Sequence, residues 1–296
     1  MKVGFIGLGK MGFLMSSNLA ENGIPLLVYN RTAQSSLDLI ERFPSVRIAK
    51  SPAEVGRYCD VIFSILADDK AVESVYLTGK NSVLSKSMKS RYWIEMSTIG
   101  EATSRRLYQT ACENNVEYID APVSGSLDAA EKAELVFILG AQDLKNSELL
   151  AYFDLMGKQA LVMGAPTLGH IAKLLVNSVI HSQNQIIAEI LSLATPLQLK
   201  KEALLELLTK SAAGSPMMSF RIPLYLDVEN VVTFALDLAK KDMNLAIELA
   251  RKSEVSVPQM LVNYEQLCSA SQAGYGQKDM AGMVKYRCDI NKKESK

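Results

Sequence analysis

Histidine is nearly missing from this sequence: only His170 and His181 occur in 296 residues. Neither has a cysteine close by, so no His/Cys metal centre is expected. The four cysteines, Cys59, Cys112, Cys268 and Cys288, are widely scattered and form no CxxC pair. That usage fits reduced thiols in a cytoplasmic protein better than a disulfide framework. Neither sign of charge is in excess, with 32 basic and 32 acidic side chains, which argues against a nucleic-acid partner because phosphate affinity needs accumulated Lys and Arg. No run of about 18 apolar residues occurs, so neither a transmembrane helix nor a membrane partner is expected. The opening MKVGFIGLG runs directly into a strand-like stretch without the apolar core of an export signal. Gly9-Lys10, Gly79-Lys80 and Gly157-Lys158 are not followed by Ser or Thr, which excludes a P-loop.

What is present is a 48% hydrophobic content, ample for a buried core at a length that implies about two domains. In the first half, short β-branched runs (Lys2 to Ile6, Pro25 to Tyr29, Val61 to Leu66, Tyr92 to Met96, Glu117 to Ile119 and Leu135 to Leu139) alternate with helical stretches such as Met11 to Asn22 and Thr32 to Glu41. That alternation predicts an α/β domain, a doubly wound parallel sheet covered by helices on both faces. From Gly169 onward, Leu-, Ala-, Lys- and Glu-rich runs carry no strand pattern and predict an all-α C-terminal domain. The GAPT turn near 163–167 places the boundary, giving residues 1–165, 166–290 and a polar, frayed tail at 291–296.

Gly7-Leu8-Gly9-Lys10-Met11-Gly12 is a GxGxxG sequence set between a strand and a helix. The first glycine permits a tight turn, the second lets backbone approach a pyrophosphate, and the third lets the helix pack on the strand. This is the Rossmann-type arrangement, with helix N–H groups facing the phosphates. Binders of NAD carry an acidic residue at the end of the second strand, where it accepts from the ribose hydroxyls. Here that strand ends in Asn30-Arg31-Thr32. A guanidinium pairs with a 2′-phosphate, which a carboxylate would repel, so NADP(H) is expected in preference to NAD(H). Tyr76 and Lys80 reproduce a YxxxK spacing, but Gly79 interrupts the helix such a pair needs.

In the long apolar segment Gly169 to Thr195, the polar residues Lys173, Asn177, His181 and Asn184 recur at spacings of four, four and three. They share one helical stripe. Either the stripe faces water, or it faces protein and Lys173 must find a partner or a cavity. The pattern alone leaves both readings open.

Together, several segments resemble the β-hydroxyacid dehydrogenase family, relatives of 3-hydroxyisobutyrate dehydrogenase, over almost the whole chain. GLGKMG with Asn18-Leu19-Ala20 is similar to its coenzyme signature. Asp120-Ala121-Pro122-Val123-Ser124-Gly125 is similar to its substrate loop, Lys173 with Asn177 to its catalytic pair, and Lys241-Asp242-Met243 with Leu245-Ala246 to its helical KDL segment. Asn30-Arg31-Thr32, Phe234 and Asp242 look most like the NADPH-dependent glyoxylate and succinic semialdehyde reductases.

The resemblance implies hydride transfer between nicotinamide and a small aldehyde- or hydroxy-acid, with Lys173 as general acid/base and Asn177 holding it and the substrate hydroxyl. A dry, crowded cleft would lower the pKa of such a lysine. Ser124, Gly125 and Ser126 would cradle the substrate carboxylate, while Phe234 and Asp242 close the pocket. Leu66, Ala67, Thr98 and Lys241 would line the coenzyme site together with the glycine loop. 3-Hydroxyisobutyrate and tartronate semialdehyde (2-hydroxy-3-oxopropionate) are alternative substrates. Imine reductases share the architecture but usually carry Asp or Tyr at the Lys173 position, and a catalytically silent coenzyme-binding module would be expected to have lost Ser124, Lys173 or Asp242. The chain departs from the family pattern at Ser126, at Ala133-Glu134 and at Val176. The apolar helical half and thirteen methionines predict a homodimer or homotetramer.

Overall fold

The computed structural model describes residues 1–85, 87–142, 148–226 and 231–294. The chain divides into two compact units, Met1–Lys173 and Leu174–Lys296. The division falls inside the long helix that follows the GAPT turn.

The first unit runs β1 (Val3–Ile6), α1 (Lys10–Glu21), β2 (Leu26–Tyr29), α2 (Ala33–Arg42), β3 (Arg47–Ile48), α3 (Pro52–Tyr58), β4 (Val61–Ser64) and α4 (Asp69–Glu73). It continues with β5 (Tyr92–Glu95), α5 (Glu101–Glu113), β6 (Glu117–Asp120), β7 (Val123–Ser124), α6 (Leu127–Glu131), β8 (Leu135–Gly140), α7 (Glu148–Met156) and β9 (Gly157–Gly164). Strands β3-β2-β1-β4-β5-β6 pair in parallel in that order. Strands β1 and β4 are buried at every position, as expected where helices cover both faces of a parallel sheet. Alternate residues enter opposite cores: Phe5, Phe63 and Ile94 on one side, Ile6, Ile62 and Trp93 on the other.

Two features depart from the sequence reading. Strand β8 pairs antiparallel with β6 and β7, because the chain returns through the short β7–α6 connection rather than a full crossover. Strand β9, which the sequence does not reveal, pairs parallel with β8 at the sheet margin. Most of its residues are exposed, so it lacks both the alternation and the continuous apolar run that mark a strand.

In the second unit, α8 (Leu168–Ala194), shared with the first, is followed by α9 (Lys201–Lys210), α10 (Pro216–Leu226), α11 (Leu236–Lys252), α12 (Pro258–Ala270) and α13 (Met283–Glu294). Among the described residues this unit holds no strand, only an isolated bridge between Ala235 and Asp279. Its core gathers Leu191, Leu205, Tyr225, Met217, Met218, Met243, Met280 and Met283, flexible thioethers filling irregular gaps. Helix α13 covers the start of the tail expected at 291–296, whose last two residues lie outside the described ones. Among the described residues, no helix is long and apolar enough to cross a membrane.

Candidate active site

The glycine loop follows β1 where the strand order reverses, the place at which open α/β sheets receive ligands. Gly7 has φ +96°, and a Cβ on it would lie 2.1 Å from the Ile65 carbonyl oxygen. A Cβ on Gly12 would lie 2.0 Å from the Gly7 oxygen. These two glycines are required by the fold itself. Gly9 is different: a Cβ there meets nothing within 4 Å. Gly9 also begins α1 without any side-chain cap, so the helix's first N–H groups remain available to an anion. An open cradle over an uncapped helix start fits a pyrophosphate. Leu8 and Met11 turn their side chains toward the core, and Lys10 is exposed at the helix start.

Asn30, at the end of β2, has a role the sequence does not show. Its Oδ1 accepts the Leu8 N–H at 3.0 Å and its Nδ2 donates to the Thr32 carbonyl at 2.9 Å. It braces the glycine loop. Arg31 and Thr32 are exposed beside it, and Arg31 makes no ion pair among the described residues.

Strands β4, β5 and β6 end in register, Ser64 beside Glu95 beside Asp120, so three polar side chains line the carboxyl edge of the sheet. Sequence reasoning quoted Asp120 only as part of a motif and passed over Glu95. The signal was there in the polar residue closing each apolar strand. Just past these ends, Leu66 is half-buried, Ala67 exposed and Thr98 half-buried. The Leu66 N–H donates to Ser97 Oγ at 2.7 Å, and Ser97 N–H donates to Glu95 Oε1 at 2.8 Å. Burial pushes the Glu95 carboxyl up to about 7, against the hydrogen bonds it accepts from Ser64 and Ser97.

Asp120 sets the start of α8. Its Oδ1 accepts the Thr167 N–H and its Oδ2 the His170 N–H, both at 2.7 Å, satisfying donors that an unaided helix N-terminus leaves open. Burial outweighs these bonds and raises its carboxyl to about 6. His170 Nδ1 lies 2.8 Å from Ser104 Oγ, itself 3.0 Å from the Tyr118 hydroxyl. His170 thus serves the packing around Asp120. Beyond β6, Ser124 is half-buried and Gly125 exposed, the latter at φ +152° with Leu135 2.7 Å from any added Cβ. Ser126 caps α6: its Oγ accepts the Ala129 N–H at 3.2 Å. Ala133, at one of the departures from the family pattern, adopts φ +55°.

Helix α8 buries a polar stripe alongside apolar residues such as Leu174, Ile187 and Leu191. Lys173, Asn177, His181 and Asn184 are 9, 4, 3 and 1% exposed, whereas Val179 and Leu193 are 69 and 58% exposed. Of the two readings left open by the spacing, the structure selects the buried polar stripe. Within the second unit, Asn177 Nδ2 donates to Asp242 Oδ2 at 2.6 Å. Lys241 Nζ lies 3.1 Å from Asp242 Oδ1, and His181 Nε2 3.6 Å from Asp242 Oδ2. The His181 ring stacks on half-buried Phe234, with centroids 5.6 Å apart. Asn184 has a structural task, donating to the Met280 carbonyl and accepting from the Tyr225 hydroxyl, both at 3.0 Å. Sequence reasoning missed Asp279, whose Oδ2 accepts the Thr233 and Phe234 N–H groups at 2.8 and 3.0 Å while Arg221 holds its Oδ1 at 2.6 Å. That pairing pins the backbone of Phe234. Asp242 is buried within this cluster, where Asn177 donates to it.

Residues 2–164 match the family model described as the NAD binding domain of 6-phosphogluconate dehydrogenase. Residues 167–287 match the NAD-binding model of NADP-dependent 3-hydroxyisobutyrate dehydrogenase. Glyoxylate/succinic semialdehyde reductase 1 of Arabidopsis thaliana is 32% identical over 96% of this chain and 97% of its own. The 2-(hydroxymethyl)glutarate dehydrogenase of Eubacterium barkeri is 26% identical over 96% of this chain and 94% of its own. Among solved structures, a 3-hydroxyisobutyrate dehydrogenase from Salmonella typhimurium superposes with a TM-score of 0.86 at 22% identity, covering 97% of this chain and 99% of that one.

Proposed function

This chain belongs to the β-hydroxyacid dehydrogenase family of pyridine-nucleotide-dependent oxidoreductases, and from that premise we propose that it reduces a small aldehyde-acid, glyoxylate or succinic semialdehyde, with NADPH as coenzyme and Lys173 as proton donor. The inward polar stripe of α8 carries this reading. A lysine buried to 9% exposure on a helix that also buries Leu174 has a reason to be there only if it meets a polar reactant or partner.

The coenzyme, when bound, supplies the hydride. As the substrate carbonyl gains electrons its oxygen becomes basic, and the Lys173 ammonium delivers a proton to it; in the oxidising direction the neutral amine takes that proton back. Asn177, one turn further on and held by Asp242, fixes the rotamer of an amide able to bond the substrate hydroxyl. The Ser124 and Ser126 hydroxyls and the Gly125 N–H are the donors for the substrate carboxylate; Ser126 Oγ accepts the Ala129 N–H at the start of α6 and keeps its own O–H to donate. Preference for NADPH is supported by exposed Arg31 at the ribose-reading position, with no carboxylate in Asn30-Arg31-Thr32 to repel a 2′-phosphate. The outward apolar row Leu175, Val179, Ile186 and Leu193 supports a homodimer or homotetramer built on this helix.

The test is coenzyme oxidation with a panel of glyoxylate, succinic semialdehyde, tartronate semialdehyde and a cyclic imine, plus reverse reaction on 3-hydroxyisobutyrate. Turnover of an aldehyde-acid with NADPH is expected. Turnover of the imine alone, or coenzyme binding with no turnover at all, overturns the proposal.

A further inference from the structure

We infer that Glu95 is a positioning residue for the coenzyme channel: its buried carboxylate ties together the two strand-end segments, Leu66–Ala67 and Ser97–Thr98, and sets the distance between them. The inference rests on the reading of those segments as channel walls. Strands β4 and β5 are parallel neighbours with Ser64 directly opposite Glu95, so both side chains leave the sheet at the same level. Glu95 Oε2 accepts from Ser64 Oγ at 2.5 Å, and that hydroxyl also lies 2.6 Å from the Tyr76 hydroxyl. Glu95 Oε1 accepts the Ser97 N–H at 2.8 Å, which turns the Ser97 hydroxyl to receive the Leu66 N–H at 2.7 Å. One carboxylate therefore links the chain leaving β5 to the chain leaving β4. A second tie runs between the same segments further out, where the Gly100 N–H donates to Asp69 Oδ1 at 2.9 Å.

All four side chains of this network, Ser64, Tyr76, Glu95 and Ser97, are 0 or 1% exposed. No cation pairs with Glu95 among the described residues, and burying a carboxyl group without one is costly. Its strand neighbours Trp93 and Ile94 show that apolar side chains pack well at this depth. Packing alone does not call for a carboxylate here. What an apolar residue could not do is accept the Ser97 amide and hold its hydroxyl toward Leu66. The same network explains Tyr76: its hydroxyl is committed to Ser64, and the YxxxK spacing with Lys80 has no catalytic meaning.

The experiment measures NADPH binding through the emission of Trp93, the chain's one tryptophan, and measures KM separately for coenzyme and for the acid substrate. Glu95→Leu is expected to raise the NADPH Kd and KM about tenfold, with the acid KM changed by less than about twofold. Glu95→Gln keeps an acceptor for the Ser97 amide and should stay within about threefold of the wild type. Ser97→Ala, which leaves the carboxylate in place and removes only the acceptor for Leu66, should raise the NADPH Kd about threefold or more, and it decides the matter if Glu95→Leu does not fold. Coenzyme affinity unchanged in these variants, or both KM values rising alike, overturns the inference while leaving the coenzyme reading intact. A wild-type chain that binds no NADPH overturns both.

Discussion

Removing the carboxylate of Asp120 should loosen the start of α8 and, through it, Lys173. Two buried N–H groups, those of Thr167 and His170, each donate to it at 2.7 Å. Leaving both unpaired costs about 1–3 kcal/mol apiece, so Asp120→Ala should lose about 2–6 kcal/mol of stability. Gly140 and Gly169 pack closely around it: a Cβ on either would fall 2.0 and 2.8 Å from the carboxylate oxygens. The companion Asp120→Asn keeps one acceptor and should cost about half as much at low pH. Burial raises the Asp120 carboxyl to about 6, from an ordinary value near 3.9. The folded chain therefore holds this proton more tightly than the unfolded one. Its contribution to stability is fully present below about pH 4 and is lost as pH rises through 6, a change of about 3 kcal/mol. Asparagine does not titrate, so the gap between wild type and Asp120→Asn should narrow from pH 5 to pH 8. Urea unfolding followed by Trp93 emission reports on the first unit at each pH. A gap that widens with pH, or an Asp120→Ala variant as stable as wild type at pH 5, would refute the reasoning.

Lys173→Ala should lower kcat by about two to four orders of magnitude with NADPH binding retained, and Lys173→Arg should fail as well because guanidinium does not exchange its proton near neutral pH; single-turnover rates check both. Arg31→Ala should raise the NADPH KM about tenfold or more while the NADH KM stays within about twofold, as expected when a charged hydrogen bond to the 2′-phosphate is lost. Gly9→Ala and Gly12→Ala should separate binding from folding. The first enters open space, so Tm should hold while NADPH affinity falls; the second meets the Gly7 oxygen at 2.0 Å and should lower Tm. Val179→Glu should split the expected oligomer into monomers in light scattering, and a monomeric wild type would defeat that expectation.

The setting of the glycine loop could be read from the sequence, because its determinants are local. The glycine triad runs from Gly7 to Gly12, directly after β1 and into the start of α1, and Asn30-Arg31-Thr32 follows the next strand. The Lys173, Phe234 and Asp242 candidates were readable only as resemblance, since Lys173 precedes Phe234 by 61 residues. Position 30 shows the limit of local reading: Asn30 stands where a ribose ligand is expected, yet its two polar atoms are used by Leu8 and Thr32.

Periodicity and turn chemistry are properties of neighbouring residues, and they sufficed for the α/β first half, the helical second half and the glycine loop between β1 and α1. Tertiary structure alone decided which way the stripe on α8 faces, since a periodic pattern names a face without saying what covers it. It also decided that Glu95 and Asp120 are structural carboxylates rather than solvated charges, because their partners, Ser64, Thr167 and His170, come from other parts of the chain. The antiparallel turn of β8 and the exposed strand β9 belong to the same class: strand pairing is a contact between distant segments, and hydropathy along one segment does not encode it.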